Sequence, residues 1–212
     1  MTTEKMNVHK ALCELKILDS RIKGAISDCT FVGLKKVASK QVMNQSVEDF
    51  KKIEKANFDR VIDLIRRREA IKRAVVLSNA VTKVMVAGKE YTVAEAIEMK
   101  NHGMDGKRML CNTLSHSLRM AEVNMESTNA DAERKADAHV QSIANGKDIR
   151  SDEVKALREG YLAGVLVELV DTVPGGAKEA LRNLEDEING FMVEVDSALS
   201  TSNAITELTI EY

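Results

Sequence analysis

The sequence predicts an all-α chain: long antiparallel helical hairpins packed as a bundle and carrying one small β-hairpin, with helices packing lengthwise between subunits as well as within one. Three observations predict it. Apolar residues at Ala177, Leu181, Leu184, Ile188, Phe191 and Val195 step by 4, 3, 4, 3 and 4, the a/d rhythm of a helix that lays a narrow seam on a partner. Pro174 is the only proline in 212 residues, which leaves room for long uninterrupted helices. Aromatic residues are scarce, with four Phe, three Tyr and no Trp, while ten Met and many Ala, Leu and Val fill the core. That mix favours helix-on-helix packing over a β-sandwich. The length suits one elaborated domain or two small ones, and a single helical domain over 1–212 is expected.

The first helix is expected over Thr3 to Ile26, with Val8, Leu12, Leu15, Ile22 and Ile26 on one face. Residues 27–45 mix apolar Phe31, Val32, Leu34 and Val37 with lysines, and read as a loop or a short, weakly held element. Ser46 before Asp49 has the form of an N-cap with an acidic first turn. The helix that follows carries Phe50, Ile53, Val61, Leu64, Ile65, Ile71 and Val75; at thirty residues it would be about 45 Å long. A helix of that length projects or pairs with another subunit.

The period then changes to two. Thr82 to Thr92 alternates around Ala87-Gly88 as a hairpin should, and it needs helices to pack on. Thr92 with Glu95 forms a capping box for a helix from Val93 to about Asn101. Gly103 and Gly106 suggest a hinge before a helix bearing Leu110, Leu114, Ser117, Leu118, Ala121 and Met125. Residues 127–150 are polar with good helix propensity, which suits either an exposed helix or a mobile excursion. Ser151 is the expected cap of a helix carrying Val154, Leu157, Tyr161, Leu162 and Val165. Pro174, Gly175 and Gly176 punctuate the entry to the last helix, and such an entry can also present backbone N–H groups to an anion.

Net charge is −2, so nothing global points to nucleic acid or a membrane. The distribution is uneven: Lys51 to Arg73 holds nine Lys/Arg against four Asp/Glu, and Gly176 to Tyr212 holds two against eight. One reading sets the basic helix beside the acidic one, with charges flanking their seam. The other turns part of Arg66-Arg67-Arg68, with Lys72 and Arg73, toward an anionic ligand. Acidic residues interrupt the basic stretch and aromatics are not interleaved with it, which argues against nucleic acid. Cys13, Cys29 and Cys111 are odd in number and widely spaced, as in a reduced intracellular protein. The polar start MTTEKMNVHK and the lack of about 18 consecutive apolar residues predict a cytoplasmic protein with no membrane partner.

Three blocks carry a resemblance. NVHKALCELKILDSRI, NFDRVIDLIRRREAIKRAVVLSNAVTKVMVAGKEYTVAEAI and VDTVPGGAKEALRNLEDEINGFMVEVDSALSTSNAITEL, about half the chain together, resemble septicolysin-like proteins, small helical proteins of bacteria and their phages. Residues 27–45 and 127–150 depart from that pattern and look like insertions. The resemblance implies a helical hairpin fold with a small β-hairpin, assembling into a closed oligomer such as a hexamer.

Catalytic patterns are missing. HExxH, GxSxG and the phosphate-loop consensus do not occur, and Cys111 lies five residues from His116, off the helical spacings. We therefore expect no catalytic residues, no metal and no cofactor. Binding groups do gather in the pattern. Asn79, Thr82, Lys83, Lys89 and Tyr91 collect at the helix-to-strand junction, with Arg73 six residues before Asn79. They offer an amide, a hydroxyl, cations and an aromatic ring. Asn112, His116 and Arg119 share a helix face that suits a phosphate or a base edge. The expected function is an oligomeric, non-catalytic protein that sequesters an anionic nucleotide-type molecule. By analogy this is a phage protein capturing a host immune signal, an ADP-ribose derivative or a cyclic nucleotide, in the host cytoplasm. The alternative is a structural self-assembly protein with no ligand.

Overall fold

A computed structural model of the chain describes residues 3–144 and 152–212. The fold is mostly helical, with small antiparallel strand pairs. In order, the elements are β1 (Thr3–Asn7), α1 (Val8–Ser27), β2 (Gln41–Val42), β3 (Gln45–Ser46), α2 (Val47–Val81), β4 (Lys83–Val86), β5 (Lys89–Thr92), α3 (Val93–Glu98), α4 (Asp105–Ala144), α5 (Asp152–Ala163), α6 (Ala177–Ile205) and β6 (Glu207–Glu211). A π-helical turn, Met99–Gly103, follows α3. Two compact units emerge: Met1–His102 with Gly190–Tyr212, and Gly103–Asn189.

In the first unit α1 and α2 run antiparallel. Thr30 N–H donates to Glu54 at one end, and Arg67 meets Glu14 farther along. Val8, Ala11, Leu15 and Leu18 recur every three or four residues and bury one face of α1 against Ile71 and Val75. The apolar spacing predicts this helix from Thr3. Instead residues 3–7 form a strand, because Asn7 caps the helix: its side chain accepts from Lys10 N–H at 2.8 Å. That strand pairs with the chain's last strand, Thr3 opposite Glu211 and Asn7 opposite Glu207. Met6, Leu208 and Ile210 face the core while Glu207, Thr209 and Glu211 stay exposed, the alternation a half-buried strand requires. Ile26, expected on the apolar face, is exposed beyond the core's reach.

The single hairpin expected is thus one of three strand pairs. A second lies within the 27–45 segment, where Met43 and Asn44 both take positive φ and turn β2 into β3. Gly33 lies so close beneath this pair that an added Cβ would stand 2.6 Å from Val42 Cγ1 and 3.0 Å from Phe50 Cζ. The ring of Phe31 meets that of Phe58 edge-on at 5.9 Å, holding the segment to α2. The third pair is the expected one: β4 and β5 join through Ala87 and Gly88, both at positive φ. The cap at Ser46 and the capping box of Thr92 and Glu95 both form. α2 extends to 35 residues, about 52 Å. The seam of α6 continues here: Phe191 and Val195 are buried, and Phe191 meets Tyr91 edge-on at 5.6 Å.

In the second unit α4 is a 40-residue helix. Gly106 sits inside its first turn rather than at a hinge. Residues 127–144 continue α4, because Ala132 and Ala136 are buried against Leu162 of α5. α5 returns antiparallel, pairing Arg158 with Asp137, and Asn129 accepts from and donates to the backbone of Val167. α5 stops at Ala163, so Val165, expected on it, lies beyond its end. The expected cap Ser151 and the end of the 127–150 segment lie outside the described residues. The first half of α6 faces α4 through Ala177 and Ile188, with ion pairs Lys178–Glu122 and Lys107–Glu187.

Candidate functional site

The predicted site residues divide between the units. Arg73, Asn79, Thr82, Lys83, Lys89 and Tyr91 belong to the first; Asn112, His116 and Arg119 belong to the second, all three exposed on one stripe of α4.

Within the first unit the hairpin register separates the two residues expected to work together. Val84 pairs with Tyr91, so Tyr91 projects to the same side as buried Val84 and Val86. Lys83, one residue before, projects to the opposite side, because side chains alternate along a strand. Tyr91 serves the core through its contact with Phe191. Lys83 is held by Glu90 at 2.6 Å, which pushes the ammonium's pKa up, first through that hydrogen bond and then through the carboxylate's charge. The helix end is also satisfied internally: Thr82 N–H donates to Ser78 O, Val93 N–H donates to Thr82 O, and the Ser78 and Thr82 hydroxyls lie 3.2 Å apart.

Thr82 and Lys83 do line a groove of about 320 Å³ whose far wall sequence reasoning missed. That wall is the end of α6, with Thr201, Ser202 and Ile205, and Thr206 just beyond it. Ser202 is 6% exposed and is a polar residue set among core neighbours. The clue was available, since four hydroxyl residues, Ser200, Thr201, Ser202 and Thr206, crowd the end of α6.

Arg73 faces a larger groove, about 460 Å³, between α2 and β6. Arg66, Glu69 and Arg73 stand at 0, 3 and 7 along α2, hence on one face and within about 10 Å of helix. Ala70 and Ala74 form a half-buried floor, with exposed Leu77 beyond them. Thr209, Glu211 and Tyr212 form the other wall. Arg73 makes no ion pair among the described residues, and Arg66 has only Asp63 at 3.7 Å in an exposed pair. Such a contact contributes little in water.

Arg67, by contrast, is committed. It meets Glu14 at 2.5 Å and Glu4 at 2.9 Å, donates to the Tyr212 hydroxyl, and lies 4.8 Å from the Tyr212 ring centroid. Its guanidinium is held charged more firmly than usual, chiefly by the hydrogen bond to Glu14. Arg68 meets Asp19 at 2.5 Å. Part of the basic run therefore pairs with α1 and β1, not with the acidic α6 as one reading expected. The register explains it: Arg67 and Arg68 turn toward α1, while Arg66 and Arg73 turn away. Tyr212, fixed by Arg67, also walls a second groove along α2 with Arg60, Asp59 and Asp63.

The remaining candidates are spoken for or apart. At the α6 entry Gly176 N–H donates to Val173 O, and Asp171 takes part of the backbone, its carboxylate accepting from Ala177 N–H at 2.7 Å and Val173 N–H at 2.9 Å. Those bonds hold the Asp171 carboxyl below the usual range. Cys111 is buried, and burial followed by the neighbouring Glu185 carboxylate pushes its thiol up, away from nucleophilic character. His9 Nε2 and Cys13 Sγ face each other at 3.8 Å across one exposed turn of α1, a contact their spacing of four could have announced. Among the described residues no three His, Cys, Asp or Glu side chains gather as a metal site, and no helix is long and apolar enough to cross a membrane. Comparison of the chain with protein-family models, with curated proteins and with solved structures finds no match.

Proposed function

We propose that this chain is an oligomeric, non-catalytic binding protein whose groove between α2 and β6 takes an anionic, ring-bearing small molecule of nucleotide type. The observation that carries this reading is Arg66 and Arg73 opening onto one groove with Tyr212, while Arg67 between them is spent on structure. Two guanidinium forks about two helical turns apart suit phosphate oxygens. Glu69 and Glu211 balance the groove's charge, so it does not select for anionic charge alone. A ligand with phosphates at the arginines and hydroxyls that donate to a carboxylate fits both signs, and a ribose supplies such hydroxyls. Ala70, Ala74 and Leu77 offer an apolar floor for a base. The resemblance to septicolysin-like proteins points to the same kind of closed helical oligomer. A phage protein that captures an ADP-ribose derivative or a cyclic nucleotide would need affinity and no turnover, which such a groove supports.

The test is titration of the full chain with ADP-ribose and, separately, with a cyclic dinucleotide, followed by calorimetry. Saturable binding that weakens at least tenfold in Arg73→Ala is expected, since a hydrogen bond to a charged group contributes about 1.5–3 kcal/mol. Binding unaffected by Arg66→Ala and Arg73→Ala together would move the ligand elsewhere.

A second reading, self-assembly without a ligand, is favoured by one observation. Val81, Met85, Val193 and Ile205 are 58–79% exposed within the first unit. Met85 and Ile205 line one groove, and apolar side chains exposed together are what a subunit contact covers. If this reading holds, both titrations give no heat while the chain still assembles.

A further inference from the structure

The long helix α4 has two faces, and among the described residues only one of them is packed. Cys111, Leu114, Leu118, Glu122, Met125, Asn129, Ala132 and Ala136 turn inward, buried or half-buried, at helical spacing. On the opposite side Met109, Thr113, His116, Met120 and Val123 step by 4, 3, 4 and 3, and all are exposed. Met109 is 70% exposed, Met120 41% and Val123 53%. That is a heptad seam with none of the described residues laid along it. Ser127 and Ala130 continue it by steps of 4 and 3, so it runs about 30 Å.

The charges beside the seam say what covers it. Asn112, Arg119 and Glu126 recur every seven residues along one flank, each immediately before a seam position. Among the described residues neither Arg119 nor Glu126 forms an ion pair, and both are exposed. In an antiparallel coiled coil such flanking positions meet their own kind across the interface. Place a second α4 antiparallel with Met120 opposite Val123. Arg119 of each copy then faces Glu126 of the other, giving two ion pairs about a two-fold axis. The same register puts His116 opposite Ser127 and Thr113 opposite Ala130, both small enough for close approach. Sliding one helix by a heptad sets Arg119 against Arg119, which charge repulsion disfavours. The pattern is self-complementary in one register, as an isologous contact requires.

We propose that α4 is a homodimer contact, a second copy of this chain docking antiparallel across the Met120–Val123 seam with its register set by Arg119 and the partner's Glu126. The inference rests on the oligomeric half of the proposed function and is independent of the ligand. It also assigns a role to Asn112, His116 and Arg119 that differs from ligand binding: they flank and line a contact between copies.

The experiment is sedimentation velocity on the full chain, with circular dichroism to establish that each variant is folded. Arg119→Glu alone and Glu126→Arg alone are each expected to raise the dissociation constant of this contact at least tenfold. The double variant Arg119→Glu/Glu126→Arg is expected to restore assembly, since the pairs re-form with signs exchanged. Met120→Asp, which places a charge in the seam, should dissociate the contact without rescue by the double charge exchange. An oligomer that tolerates every single variant would overturn this interface and leave the oligomeric reading standing. A wild-type chain that sediments as a monomer at all concentrations would overturn both.

Discussion

Arg67 ties three parts of the first unit together, since Glu4 of β1, Glu14 of α1 and Tyr212 each accept from one guanidinium. Arg67→Ala would take from Glu14 its guanidinium partner and leave Glu4 with only the longer contact to Lys10 at 3.8 Å. We expect a loss of about 1–3 kcal/mol in chemical denaturation, with Arg67→Lys recovering only part, because an ammonium cannot reproduce the fork. Asp171 makes a sharper case because its contribution depends on pH. Two backbone N–H groups hold its carboxyl below its ordinary range, so the ionised form favours the folded chain. That contribution is present at neutral pH and is lost as pH falls through the depressed value. Asp171→Ala should therefore lower the melting temperature at pH 7 and make little difference at about pH 2, below the carboxylate range. Equal losses at both values would mean that the side chain acts through packing. Neither residue's role was legible in the sequence. Arg67 looks like its neighbours Arg66 and Arg68, and only the turn of the helix decides which of the three faces α1.

At the scale of elements, periodicity carried most of what could be read. The six apolar positions of α6 all prove buried or half-buried, and both the β4–β5 turn at Ala87-Gly88 and the Thr92–Glu95 capping box form as their spacing predicts. The seam of α6 depends on Phe191, which is 1% exposed and braced by Tyr91. Phe191→Ala should cost about 3–5 kcal/mol, measured by denaturant unfolding. Gly33→Ala is expected to destabilise as well, because its Cβ meets Val42 and Phe50, side chains that the β2–β3 pair and α2 hold in place. The pairing of β1 with β6 was not legible. Its strands are five residues long and lie at opposite ends of the chain, so no local pattern connects Thr3 to Glu211. The helical spacing of Val8 onward drew the first helix back across Asn7, which in fact caps it. The candidate site was legible in part. Charge clustering at 66–73 points to the helix that lines the proposed groove, but the second wall of that groove comes from β6 and Tyr212, for which the sequence carries no local signal. The hairpin register parts two members of the other set, because Lys83 and Tyr91 project to opposite sides of a two-residue repeat.

For the molecule as a whole, the proposed account separates recognition from assembly. The α2–β6 groove lies wholly in the first unit, and the α4 seam wholly in the second. Arg119→Glu is therefore expected to alter association without removing ADP-ribose binding by the chain, and Arg73→Ala to do the reverse. Paired sedimentation and calorimetry on both variants would read this independence directly. The central claim is that Arg66 and Arg73 make a nucleotide-type site. It is tested most directly by calorimetric titration of ADP-ribose and a cyclic dinucleotide into the wild-type chain and into Arg66→Ala/Arg73→Ala. The account predicts saturable binding of one of them at one molecule per chain, lost in the double variant. No binding of either probe to the wild-type chain, or equal binding to both proteins, would contradict it.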